Sequence, residues 1–134
     1  MSAGVLIRDM KPSEVESVRL FLGHNGWGHR TGSAEHFAQL IANSQRTALA
    51  VKDSRIVGFA RGITDGLSNG YLSMVVVCGQ HRREGIGRAL VEHVMGENTD
   101  ITWVLRAGRE GTSAFFSHLG FEVSTISMER PRSQ

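Results

Sequence analysis

The sequence predicts an α/β fold: a mixed, mostly antiparallel sheet with helices packed on it. Three observations carry that expectation. Apolar residues alternate between period two and helical spacing, in the order β-α-α-β-β-β-α-β-α-β. Two early strands meet at Asp53-Ser54, a tight hairpin. A strand–helix–strand run comes later, and that crossover needs a sheet with helices against it.

Each element has its own reason. "VLIR" (Val5 to Arg8) is a short first strand. "PSEVESVRLFLG" holds Ser13 and Glu16 at capping-box spacing, so a helix should start there, with Val15, Val18 and Leu22 inward. The glycine-rich loop "GHNGWGHRTG" follows, carrying Trp27. Ser33 can cap a second helix whose apolar stripe is Phe37, Leu40 and Ile41. "RTALAVKDSRIVGFARGIT" gives the hairpin strands, and the polar loop "DGLSNG" leads to the strand "YLSMVVV". A helix to about Met95, a strand "ITWVLRA", a helix in "GTSAFFSHLG" closed by a left-handed Gly120, and a last strand "FEVSTISM" complete the chain.

The 134 residues suit a single domain spanning 1–134, with a frayed tail at 129–134. A hydrophobic fraction of 40% and a charged fraction of 21% are those of an ordinary globular protein. No apolar run approaches the roughly 20 residues that span a bilayer. The start, "MSAGVLIRDM", does not read as a signal peptide. The lone Cys78 excludes an internal disulfide framework and fits a cytoplasmic protein. A net charge of +2 is too small to argue for a nucleic-acid or membrane partner. The basic residues are nonetheless lopsided: 13 arginines against Lys11 and Lys52.

The most informative stretch is "CGQHRREGIGRALVEHVMG" (Cys78 to Gly96), where a strand runs through a glycine-rich, arginine-rich corner into a helix. Such a corner gathers free backbone N–H groups at the positive end of a helix, an anion site suited to a pyrophosphate. Glycine allows positive φ and close approach of a ligand to the backbone. The corner is neither a P-loop, since no lysine and hydroxyl follow Gly85, nor a G-x-G-x-x-G dinucleotide loop.

It does match [RQ]-x-x-G-x-[GA], as Arg82-Arg83-Glu84-Gly85-Ile86-Gly87, the acetyl-CoA signature of the Gcn5-related N-acetyltransferases (GNAT). The chain resembles small, single-domain bacterial members of that family from Val5 to Met128. "AFFSHLGF" is similar to the family's A-x-F-Y-x-x-x-G-F ending, and "VGFARGITDG" to its third strand. The resemblance implies splayed fourth and fifth strands, with pantetheine bonded to the main chain of Val75 and Val77. It implies a pyrophosphate on the signature from Arg82 through Arg83, Glu84, Gly85, Ile86 and Gly87 to Arg88. It also implies acetyl-CoA as cosubstrate with no metal, an amine acceptor, and allows a homodimer.

The implied reaction is direct attack of a neutral amine on the thioester, which needs a proton acceptor, oxyanion donors and a leaving thiolate. The fourth strand offers no carboxylate. Asp65, beside the expected acceptor cleft, is the candidate to hold the substrate cation or relay its proton; the other reading is a turn aspartate ahead of Gly66. His81 and His118 read as surface histidines, and Cys78 as a small packed residue. The position of the family's tyrosine acid is held by Phe116, which cannot donate a proton. Thiolate then leaves unaided, or with help from water or Ser117, or the protein binds CoA without catalysis. Trp27 is a candidate pocket wall or else a cover over the helices; Arg61 is a candidate for an acceptor carboxylate or else an exposed strand arginine. The expected reaction is acetylation of a small-molecule primary amine. The alternatives are a non-catalytic CoA-binding protein and acetylation of a protein N-terminus or lysine.

Overall fold

The computed structural model describes residues 4–108 and 111–133. Five strands form one sheet in chain order: β1 (Val5–Arg8), β2 (Arg46–Lys52), β3 (Arg55–Thr64), β4 (Asn69–Val77) and β5 (Thr102–Val104). β1 to β4 pair antiparallel. β5 joins β4 in parallel, because the chain returns over the sheet through helix α4 (Ile86–Met95). The expected hairpin is present: Asp53 and Ser54 have φ of 51° and 64°, and Lys52 pairs with Arg55. Two consecutive positive φ values give the turn whose twist matches that of the strands.

On one face lie α1 (Val15–Leu22), the short α2 (Gly28–Thr31) and α3 (Ala34–Ala42). Val18, Leu22, Phe37 and Ile41 pack there on Leu49, Phe59, Met74 and Val76. On the other face Ile86, Leu90, Val91 and Val94 of α4 cover Ala48, Ala50, Val57, Ala60 and Leu72. Phe59 and Ala60 face opposite cores, as strand alternation requires. Ser33 caps α3, accepting the His36 N–H at 3.1 Å. Arg46 closes α4 by donating to the carbonyls of Val94 and Met95, at 3.0 and 2.9 Å, where the helix dipole favours a cation.

Two expectations need correction. The box expected at Ser13 and Glu16 does not form. Pro12, favoured at a first helical position, starts a tight turn earlier, and Glu14 accepts the Lys11 N–H at 2.7 Å. Glu14 is also gripped by Arg8 through two bonds of 2.9 and 2.6 Å, while Glu16 pairs with Arg19.

The last strand is also absent: 121–128 is irregular, with Val123, Ile126 and Met128 exposed. The cause is how α5 (Thr112–Ser117) ends. Gly120 has φ 95°, the Phe121 N–H bonds the Phe116 carbonyl at 3.1 Å, and the Phe121 ring rests on Phe116. The chain beyond runs apart from β5, across a groove of about 660 Å³. A strand needs an edge about 4.8 Å away, and alternating side chains do not supply one. Among the described residues no helix is long and apolar enough to cross a membrane.

Candidate active site

β4 and β5 pair only from Asn69–Tyr71 to Thr102–Val104 and then part. Just beyond the last pair β4 carries a bulge. Phe59 opposes Val76 and Arg61 opposes Ser73, so Met74 and Val75 stand against Ala60 alone. Met74 has φ 55°, a left-handed backbone that costs about 1–2 kcal/mol outside glycine. The bulge bends the strand and shifts its phase: Leu72 packs towards α4, whereas Met74 and Val76 pack towards α1 and α3.

The bend leaves a hydrogen-bonding edge open. The Cys78 N–H is spent on the Val57 carbonyl, at 2.9 Å. By strand alternation the N–H and C=O of Val77 face the other way, into the gap, and those of Val75 do the same. Arg82 reaches back and donates from Nε to the Val77 carbonyl at 3.3 Å.

The corner beyond β4 is built from main chain. Gly85 has φ 82° and caps α4, and Arg83 has φ 66°. The first intrahelical bond runs from Ala89 N–H to the Gly85 carbonyl, leaving the amides of Gly85, Ile86, Gly87 and Arg88 as donors at the helix start. Most side chains of the motif look elsewhere. Ile86 is buried in the core. Glu84 lies 3.6 Å from His81 and 3.9 Å from Lys52. Arg88 donates to the His118 carbonyl at 3.1 Å, tying α4 to the end of α5. Gly87 has a further reason to be glycine: a Cβ there would sit 2.9 Å from the Phe115 ring.

The gap opens into a cavity of about 580 Å³ that brings Trp27, Arg61, Val75 and Phe116 together. Phe116 is an apolar wall, packed edge to face against Phe115 at 4.9 Å and Phe121 at 5.7 Å. Arg61 is not the exposed strand arginine. It opposes Ser73 across the β3–β4 ladder, is 8% exposed, and among the described residues donates only to the Ser44 hydroxyl, at 3.3 Å. Its Nε is buried without a hydrogen-bond partner among the described residues. Burial pushes its pKa down, and nearby Tyr71 opposes that shift.

Asp65 is not brought to the cavity. Its Oδ1 accepts the N–H groups of Leu67 and Ser68 at 2.8 Å and of Asn69 at 3.1 Å, and its Oδ2 accepts the Ser68 hydroxyl at 2.8 Å. These bonds, led by those from the backbone amides of Ser68 and Leu67, hold its carboxyl far below the usual range. Its geometry is that of the turn aspartate.

Tyr71 is one of several cavity residues that sequence reasoning missed, with Arg30, Arg106 and Arg132. Its hydroxyl accepts Arg106 Nε at 2.8 Å, and the guanidinium lies 5.8 Å from the ring centre. A signal was present, since alternation puts Tyr71 on the same face as Ser73.

The acetyltransferase (GNAT) domain family matches residues 43–123. The chain belongs to the GNAT acetyltransferase family. No curated protein matches the sequence. Solved structures with a similar fold include a GNAT-family acetyltransferase of Streptococcus pneumoniae, at TM-score 0.80 and 22% identity, covering 97% of this chain and 99% of the other. An acetyltransferase of Trypanosoma brucei reaches 0.72 at 22% identity over 96% and 99%. Naa50 of Arabidopsis thaliana, in complex with the bisubstrate analogue CoA-Ac-MVNAL, reaches 0.73 at 18% identity over 91% and 85%. The five-stranded open sheet, splayed at β4 and β5, is thus a GNAT fold.

Proposed function

We propose that this GNAT protein transfers the acetyl group of acetyl-CoA to the primary amine of a small molecule, by direct attack in a ternary complex. The observation that carries the reading is one continuous path. It runs from the amides of Gly85–Arg88, along the open β4 edge at Val77 and Val75, into the cavity walled by Phe116.

The residues fit the cosubstrate's chemistry. A pyrophosphate takes the N–H groups at the start of α4, with the exposed Arg82 and Arg83 nearby. Pantetheine amides take the Val75 and Val77 main chain, and the Arg82 contact given up at Val77 is a long bond from an exposed side chain. Acetyl-CoA supplies the activated acetyl group. A main-chain N–H of the open β4 edge near Val77 is the donor for charge developing on the acetyl oxygen. Proton removal from the amine runs through water, with His29 and His36 in the lining as acceptors. Phe116 excludes water from the thioester but gives no proton, so the thiolate leaves unaided, which a thiol pKa of about 8.5 permits.

Phe116 also motivates a second reading, a CoA-binding protein without turnover. Free-thiol release from acetyl-CoA, measured against a panel of amines and one short peptide, separates the readings. Acetylation of the peptide alone would replace the small-molecule acceptor. The cofactor assignment has its own test, because a valine at the left-handed position 85 is strained and displaces the amides. Gly85→Val should abolish acetyl-CoA binding in calorimetry, and unchanged affinity in a folded variant would sink the pyrophosphate site.

A further inference from the structure

The cavity's lining is one-sided in charge. It holds Arg30, Arg61, Arg106 and Arg132, and no aspartate or glutamate among the described residues. Arg106 is answered by Glu129 at 3.3 Å and by the Tyr71 hydroxyl. Arg61 differs. It is more than nine-tenths buried, its neighbour is a serine hydroxyl, and its Nε donor has no partner among the described residues. An arginine taken out of water is costly unless an anion meets it. Such a residue, half-satisfied and on the wall of a cavity, is built to be completed by a ligand.

We propose that the acceptor is a small amine that also bears a carboxylate, and that Arg61 is the residue that binds that carboxylate. The inference rests on the acetyl-transfer reading above and gives it a substrate class. A guanidinium presents a planar fork matched to a carboxylate, and among the described residues the Arg61 fork spends a donor only on the Ser44 hydroxyl. Arg61 and Ser73 lie opposite each other on adjacent strands, and Ser73 is the neighbour of the bulged Met74. The anchor therefore stands beside the place where β4 turns away from β5 and the acyl chain would enter. Arg30 and Arg132 add positive potential at the same cavity, which draws in an anion and repels a polyamine.

The test has two arms. In the first, thiol release is followed with carboxylated amines, the matching carboxamides and the plain alkyl amines. The carboxylated amines should be preferred, and Arg61→Met should raise their KM about ten- to a hundredfold, the worth of a charged hydrogen bond. KM for the carboxamides and the Kd for acetyl-CoA should not move. Preference for neutral or dicationic amines, or an equal effect of Arg61→Met on acid and amide, overturns the proposal. The second arm needs no turnover. Calorimetry on the CoA-loaded protein compares glutarate with glutaramide, and glutarate alone should bind, in a manner lost in Arg61→Met. Equal binding of the two refutes the anion site. Selective glutarate binding without acetylation of any amine would leave that site standing and remove the transferase reading. Arg61→Lys separates charge from packing: a purely structural arginine would be replaced with no change in acid-over-amide discrimination, whereas loss of the planar fork should weaken it.

Discussion

Replacing Gly87 by alanine sets two effects of opposite sign against each other at the cofactor corner. Gly87 is the second residue of α4, and its backbone is not left-handed, so alanine gains up to about 1 kcal/mol of helix propensity. Against this, the new Cβ would lie 2.9 Å from Phe115 Cζ and 3.1 Å from Cε1. Carbon pairs reach their optimum at about 3.5–4.0 Å, so the ring must yield by more than half an ångström. Phe115 packs edge to face on Phe116, and retreat pushes that residue, itself 8% exposed, towards the cavity. Overpacking of this kind costs about 1–3 kcal/mol, so the clash wins by about 1 kcal/mol. With a urea slope of about 1–3 kcal/mol/M, the unfolding midpoint should fall by several tenths of a molar. Phe115→Leu removes the obstructing ring edge. In that background Gly87→Ala should become stabilising, because only the propensity term remains. The four proteins form a double-mutant cycle. An alanine variant as stable as the parent, or no gain in the leucine background, would show that α4 and α5 do not meet at Gly87 as described.

Other perturbations test the remaining assignments. Phe116→Tyr should leave turnover unchanged or raise it, because it adds a donor at the apolar wall, whereas Phe116→Leu should lower stability through lost ring packing and reduce turnover only modestly. A large drop in turnover for the tyrosine variant, measured from pH 6 to 10, would contradict the wall assignment. Asp65→Ala should lower the melting temperature and leave kcat and KM untouched, since the carboxylate holds three turn amides and does not reach the cavity; a selective loss of kcat would restore it as a catalytic group. Hydrogen bonding from Arg8 holds Glu14 at about 2, against an ordinary 4.5. A lowered folded-state pKa gives stability that is complete above about 4.5 and lost as pH falls towards about 2. Glu14→Gln should therefore flatten the acid limb of the stability–pH curve, and an unaltered slope would mean the pair adds nothing.

The sequence by itself determined the parts governed by local rules. Asp53-Ser54 tolerates the positive φ of a tight hairpin, Ser33 has the hydroxyl that caps α3, and Gly120 takes the left-handed place that closes α5. The strand, glycine corner and helix from Tyr71 to Met95 were legible because their meaning lies in backbone donors, which the glycine spacing alone specifies. What involves a neighbour was not legible. Alternation in "FEVSTISM" describes side chains, whereas a strand also needs an edge, and β5 runs apart from it across a groove. Plain alternation puts Leu72, Met74 and Val76 on one face, and only pairing against Ala60 reveals the bulge that splits them between two cores. Arg61 and Asp65 are both polar residues near a turn in the sequence. Tertiary structure decided that one is buried on the cavity wall with a donor unspent, while the other is consumed by its own turn. Burial and unmet hydrogen bonds belong to the space between elements, and no single segment encodes them.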